Sequence, residues 1–397
     1  MARSRRRAAP NDTGPGADVI TTTAELDALV TTLSGAEFLA VDTEFMREQT
    51  YYSQLCLIQI SNGTVAAAID PLAPDIDLRS LWRLLADPST TKVFHAAHQD
   101  LEIFLKEMGT LPLPLFDTQI AAMVLGHGDQ VGYDRLVRAV LKHDIDKSSR
   151  FTDWSRRPLS ARQISYALDD VIYLAEMYPK LRAELEERGR AGWLDDENAR
   201  LVDPASYHTV PEDAWKRIKV RNMKAPALRR MMHLASWRET EAQTRNLPRN
   251  RILRDETILD LAGTNPLEPT EFGKIRNFPG GANGKLVTPV LAVLREVEAM
   301  PDSSLPEPRA EGRTPKPPAA VMELLRVLLK HITDKEGIAP RLVASADELE
   351  ALALDDNAPV RAQSGWRHDI FGAAALRLKH GRIALAAEGR RIRVIDL

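Results

Sequence analysis

Residues 38–61 read FLAVDTEFMREQTYYSQLCLIQIS, and the fold turns on how that stretch is read. Two apolar runs, 38–41 and 55–60, have the composition and length of neighbouring strands. The first run ends directly in Asp42 and Glu44. Residues i and i+2 of an extended chain face the same side of a sheet, so the two carboxylates aim together. Like charges held that way repel unless something positive lies between them. The stretch therefore predicts a rigid sheet edge that carries an anionic site.

Working outward, TTTAELDALVTTLSG (residues 21–35) predicts a helix with threonines at its start and Gly35 at its end. Strands are expected at 38–41, 54–60 and 65–69, the last two joined as a hairpin through SNG. The pattern then alternates. A helix is expected around 78–86, a strand at 92–95 and a helix at 99–108, followed by a short strand before Asp117 and helices through Ala122 and Leu136. The polar, basic loop IDKSSRFTDWSRRPLS leads into a helix over Ala161–Glu187. Three strands followed by alternating helices and strands predict an α/β domain with a mixed sheet between helices.

Bulk properties fit that frame. A chain of 397 residues exceeds one ordinary core, so two or three domains are expected. The hydrophobic share of 44% and charged share of 27% are those of a water-soluble globular protein. No apolar run reaches the roughly 20 residues needed to span a bilayer. The basic start MARSRRRAAPNDTGPGAD lacks an apolar segment after it, so it reads as a disordered tail, not a secretory signal. The single cysteine, Cys56, lies among apolar neighbours and is expected to be a packed thiol in a reducing cytoplasm. The net charge of −3 hides an asymmetry: residues 21–210 carry −11, residues 211–300 carry +5 and residues 301–397 carry +1. Capture of a polyanion would fall mainly to the middle segment.

Further acids join the first pair. The strand ending in VFHAAHQDLEIF puts Asp100 at the start of a helix. In SYALDDVIYL, the residues Ile164, Ala167, Leu168, Val171 and Ala175 form one apolar stripe. At about 100° per residue, Asp170 lies at its margin and Asp169 nearly opposite, so Asp170 is the inward acid. Tyr166 sits one turn before it. Oxygen-only ligands select hard divalent cations, Mg²⁺ or Mn²⁺, and two of them about 4 Å apart suit phosphodiester hydrolysis. Each piece alone has a plainer reading: a solvated strand edge for the DxE pair, a helix cap for Asp100, a surface hydrogen bond for Tyr166 and Asp170. Asp117 opens DTQ and reads as a helix cap. His95, His98 and Gln99 read as packing or capping residues as readily as phosphate contacts. Only the conjunction, in order, points to chemistry.

The segments FLAVDTEFMRE…YYSQLCLIQI, HAAHQDLEIF, FDTQIAA and YALDDVIYL resemble the successive motifs of the ribonuclease D family, the tyrosine branch of the DEDD superfamily of 3′-5′ exonucleases. The resemblance runs from about residue 18 to 200. It implies a ribonuclease-H-like (DnaQ-like) fold, with Asp42, Glu44, Asp100 and Asp170 as ligands of two divalent cations. It also implies that Tyr166 orients the attacking water and that Phe45 and Met46 support the terminal base. Where family members often carry a proline and a basic residue, this chain has Ser53 and Gln54. From residue 213 to about 297 the sequence resembles an HRDC domain. Trp215, Leu228, Leu234, Trp237 and Leu259 are expected in its core, with Lys216, Lys219, Arg221, Lys224, Arg229 and Arg230 as candidates for backbone-phosphate contact. The end of the chain, with SGWRHDIFG, is similar to a second, more divergent HRDC-like module.

The expected organisation is a tail (1–17), an exonuclease domain (18–203), a mainly helical HRDC domain (211–300), a proline-rich linker (301–320) and a second HRDC-like domain (321–397). The expected activity is cytoplasmic 3′-5′ exoribonucleolysis releasing 5′-mononucleotides from RNA with a free 3′ end, as in tRNA precursor processing. No membrane and no obligate protein partner are expected. A repair-type 3′-5′ DNA exonuclease and a non-catalytic RNA-binding scaffold are the competing readings.

Overall fold

The computed structural model describes residues 19–146, 152–220, 223–304 and 316–397. The expected basic tail, part of the 301–320 linker and Arg221 lie outside them. Five strands, β1 (Phe38–Met46), β2 (Gln54–Ser61), β3 (Ala66–Ile69), β4 (Thr91–Phe94) and β5 (Leu115–Asp117), form one sheet in the order β3-β2-β1-β4-β5. The first three strands pair antiparallel, and β4 and β5 run parallel to β1. This is the mixed sheet expected from the sequence. β1 differs in extent: it continues past the apolar run to Met46, so Asp42 and Glu44 stand inside the strand, not at its end. Alternation explains this, since Thr43 between them turns to the opposite, buried face.

Helices α1 (Thr23–Leu33), α2 (Arg79–Leu85) and α3 (His98–Met108) cover one face of the sheet, packing on Leu39, Val41, Ile58 and Ile60. Helices α4 (Thr118–Leu125), α5 (Tyr133–Leu141) and α6 (Ala161–Glu187) cover the other. The α1 start is fixed by a capping box between Thr22 and Glu25, and the α6 start by one between Ser160 and Gln163. α6 crosses β1, β2 and β3 and buries Ala167, Asp170, Val171 and Leu174 against them.

After α7 (Asp195–Leu201), helices α8 (Ala225–Arg245), α9 (Arg249–Ile252), α10 (Asp255–Thr264) and α11 (Val287–Glu298) enclose a second core. Leu228 and Leu234 are fully inside it, while Trp215, Trp237 and Leu259 pack at its border. The remaining helices, α12 (Ala319–Glu336), α13 (Pro340–Val343), α14 (Ala346–Leu354), α15 (Gly365–Arg367) and α16 (Ala373–Lys379), precede a hairpin of β6 (Ile383–Glu388) and β7 (Arg391–Asp396). No described helix is long and apolar enough to cross a membrane.

Both helical regions are seated on the first. Tyr51, in the loop after β1, packs against the second core, and Ala339 and Leu342 belong to the α4–α6 core of the sheet domain. Gly126, at φ 84°, closes α4 so tightly on the last region that a Cβ there would sit 2.2 Å from the Gly337 carbonyl oxygen.

Candidate active site

Asp42 and Glu44 project from one face of β1 toward α6, which supplies Asp170. Carboxylate oxygens of these three residues all lie within 4.8 Å of one another. Between Glu44 and Phe45 the β1–β2 register shifts by one, leaving Cys56 as the extra residue on β2. Such a bulge re-aims the side chains beside it. Cys56 itself is buried, and burial pushes its thiol up to about 11, which suits a packed thiol and not a nucleophile.

Asp100 occupies the first turn of α3, buried at 6% exposure. Its Oδ1 accepts a hydrogen bond from the Thr43 hydroxyl, which leaves β1 on the face opposite Asp42 and Glu44. The fourth acid thus stands beside the other three with its carboxylate turned to Thr43, outside the close triplet. Burial pushes Asp42 up to about 6, and burial together with the Asp42 charge holds Asp100 well above the usual carboxylate range.

Asp42 and Asp170 open into a cleft of about 310 Å³, whose walls also include His95, Gln119, Tyr133, Asp134 and Tyr166. None of the described residues lining it is lysine or arginine. A cluster of carboxylates beside a cleft without lysine or arginine is a donor set that suits a hard divalent cation. Tyr166 enters the cleft one helical turn before Asp170, its ring tilted against buried Trp154 at 6.2 Å. Phe45 and Met46, expected to support a terminal base, are half-buried and pack against the cores on opposite faces of the sheet.

Sequence reasoning missed Tyr133. Its hydroxyl donates to the backbone oxygen of Asp170, tying α5 to the turn of α6 that carries the acid. A tyrosine at a helix start carries no pattern of its own, and only the packing of α5 on α6 reveals it. Asp117 caps α4, accepting from the Gln119 and Ile120 amides, and it also accepts from Ala96 and Ala97 ahead of α3. That second role pins the loop that delivers Asp100. His95 bonds Thr118 and the Val131 carbonyl, and burial lowers its pKa. The His98 ring lies tilted against Tyr207 at 5.0 Å, and Gln99 is exposed beside it.

Of the basic residues expected at a nucleic-acid surface, Lys216, Lys219 and Lys224 are exposed, Lys216 in an ion pair with Asp213 at 2.7 Å. Arg229 and Arg230 are corrections. Arg229 is 6% exposed and donates to the Pro301 carbonyl; Arg230 bonds the Ala262 carbonyl and pairs with Glu298. Both brace the helical core because their long stems reach across it to unsatisfied carbonyls.

A family model described as 3′-5′ exonuclease matches residues 17–186, and one described as HRDC domain matches residues 227–294. The chain is 47% identical to the ribonuclease D of Acidiphilium cryptum over 98% of its own length and 99% of that protein's. It is 44% identical to the ribonuclease D of Granulibacter bethesdensis, over 100% of this chain and 99% of the relative. The crystal structure of Escherichia coli RNase D, an exoribonuclease involved in structured RNA processing, matches with a TM-score of 0.80 and 31% identity. The match covers 92% of this chain and 99% of that one.

Proposed function

The chain belongs to the ribonuclease D family and is a 3′-5′ exoribonuclease, and we propose that Asp42, Glu44, Asp100 and Asp170 hold its divalent cations. The observation that carries this reading is the approach of the Asp42, Glu44 and Asp170 carboxylates to within 4.8 Å of one another, beside a cleft lined by Asp42, Asp170 and Tyr166. Two Mg²⁺ or Mn²⁺ ions fit the all-oxygen donor set. When bound, they supply Lewis acidity to water and to the scissile phosphate. The chain's own residues do the rest. The sheet and α6 hold the acids in place, and Tyr166 orients the attacking water. Tyr133 keeps Asp170 in position through the α6 backbone. The cleft is at the small end of ligand pockets, a size that suits one terminal nucleotide at a time.

The substrate in this reading is RNA with a free 3′ end, including structured precursors such as those of tRNA, and the products are 5′-mononucleotides. Phe45 and Met46 support the terminal base. Lys216, Lys219 and Lys224 meet backbone phosphates upstream, a contact that adds affinity without reading sequence. Arg47, Arg217 and Arg249, which line a cleft of about 350 Å³ between the sheet domain and α8–α9, extend that path. The division of labour follows an exonuclease domain over 18–203, an HRDC domain over 211–300 and an HRDC-like domain over 321–397. A single buried thiol suits a reducing cytoplasm.

Linear and circular RNA of one sequence, digested in parallel with Mg²⁺, test the requirement for an end. The linear strand shortens one nucleotide at a time and the circle survives; cleavage of the circle would contradict the reading. A linear DNA strand in the same series tests the sugar, and faster digestion of DNA would count against an RNA substrate.

A further inference from the structure

Gln59 lies in the middle of β2 and is 0% exposed, yet neither its side-chain oxygen nor its side-chain nitrogen has a hydrogen-bond partner. A buried amide left unpaired costs stability, and native proteins rarely keep one without a reason. Its position is specific. Gln59 pairs directly with Asp42 across β1–β2, and with Ala68 on β3. Residues directly opposite in an antiparallel pair share a face, with Cβ atoms about 5 Å apart. Gln59 therefore stands on the α6 side of the sheet, next to the Asp42 side chain, beneath a helix that excludes water. Ala68 offers it nothing polar. Ser61, two residues along, already accepts from the Gly63 amide. Asp42 is thus the polar neighbour that the strand register puts directly opposite the amide.

We propose that Gln59 is a positioning residue for Asp42, its amide N–H donating to the Asp42 carboxylate in the cation-loaded protein and fixing that carboxylate's orientation. The inference rests on the cation site of the preceding section. A carboxylate that engages a cation is a fixed and fully charged acceptor, and groups that hydrogen-bond to ligating carboxylates tune the affinity of the site. The unpaired amide of the cation-free protein is then a donor held ready, and its cost is recovered on loading.

Calorimetric titration of the full chain with Mn²⁺, without RNA, tests this in the wild type and in Gln59→Met, which keeps the volume and removes the amide. The expected result is roughly tenfold weaker Mn²⁺ binding in the variant. The melting temperature of the cation-free variant should be equal to the wild type or higher. Raising Mn²⁺ should restore its rate of RNA digestion. Equal affinity in the two proteins would overturn the proposal, as would a loss of affinity that merely tracks a lower melting temperature. A wild type that binds no Mn²⁺ would instead remove the cation site itself.

Discussion

Thr43 sits between two acids and serves a third. Its hydroxyl leaves β1 on the buried face and donates to Asp100, so one strand positions acidic groups on both of its sides. Replacing it with valine keeps the shape and leaves the Asp100 oxygen unpaired, at a cost of about 1–2 kcal/mol. Urea unfolding of cation-free Thr43→Val should show that loss as an earlier midpoint with an unchanged slope. An unchanged midpoint would mean that the hydrogen bond contributes nothing. At this scale the three acids that the structure brings together, Asp42, Glu44 and Asp170, were legible as candidates. Each of Asp42, Glu44, Asp100, Tyr166 and Asp170 has a plainer reading alone, and it is their conjunction, in order and on suitable elements, that makes them stand out. Tyr133, Thr43 and Gln59 were not legible, because each is an unremarkable residue type whose role comes only from its neighbour in space.

Elements were read well where one period dominates and less well where two rules compete. The α6 limits follow from its stripe and its capping box, and the α3, α4 and α5 helices fall near their expected places. β1 was cut short in the sequence because an apolar run marks burial on both faces, whereas the strand is defined by its pairing, which runs on to Met46. The loop after β1 then does something no local pattern predicts. The Tyr51 hydroxyl donates to Glu239 of α8, and Arg249 of α9 holds both, bonding Glu239 at 2.5 and 2.6 Å and the Tyr51 oxygen at 2.9 Å. Tyr52 N–H donates to Asn246 at 3.0 Å. Glu239 is fully buried, and although burial raises its pKa, the hydrogen bonds from Arg249 and Tyr51 bring it below the usual carboxylate range. The strand bearing Asp42 and Glu44 is in this way latched to the helical domain. Tyr51→Phe should destabilise the protein by about 1.5 kcal/mol, the worth of a hydrogen bond to a charged group. Chemical denaturation reads this, and a loss under about 0.5 kcal/mol would reduce the latch to a mere contact.

Across the whole molecule, the terminal region is built into the enzyme. Trp193 and Trp366 stack in parallel at 4.1 Å, with Arg190 over the first ring and Arg367 over the second. Arg367, 1% exposed, also pairs with Asp196 and Glu197 of α7, each at 2.7 Å. Arg361 joins Glu197 to Glu348 of α14. Burial alone would raise Glu348, but the Arg361 guanidinium and the Ser345 cap bring it down to about 2. A carboxylate whose folded pKa is depressed contributes stability above its unfolded pKa of about 4.5, and loses it as pH falls toward 2. Wild type should therefore be more stable than Glu348→Gln at pH 7, and the gap should narrow between about pH 4.5 and about pH 2 in denaturant titrations. A gap independent of pH would refute the ion pair's role. None of these contacts could be read from the sequence, since each joins segments more than 100 residues apart or a charge to a partner that folding alone supplies. The central claim concerns the whole molecule at work, and it is tested most directly by mononucleotide release from single-stranded RNA with Mg²⁺, comparing wild type with Asp42→Asn. The account predicts chelator-sensitive release by the wild type, its loss in the variant, and RNA binding largely retained. Unchanged release by Asp42→Asn would contradict it.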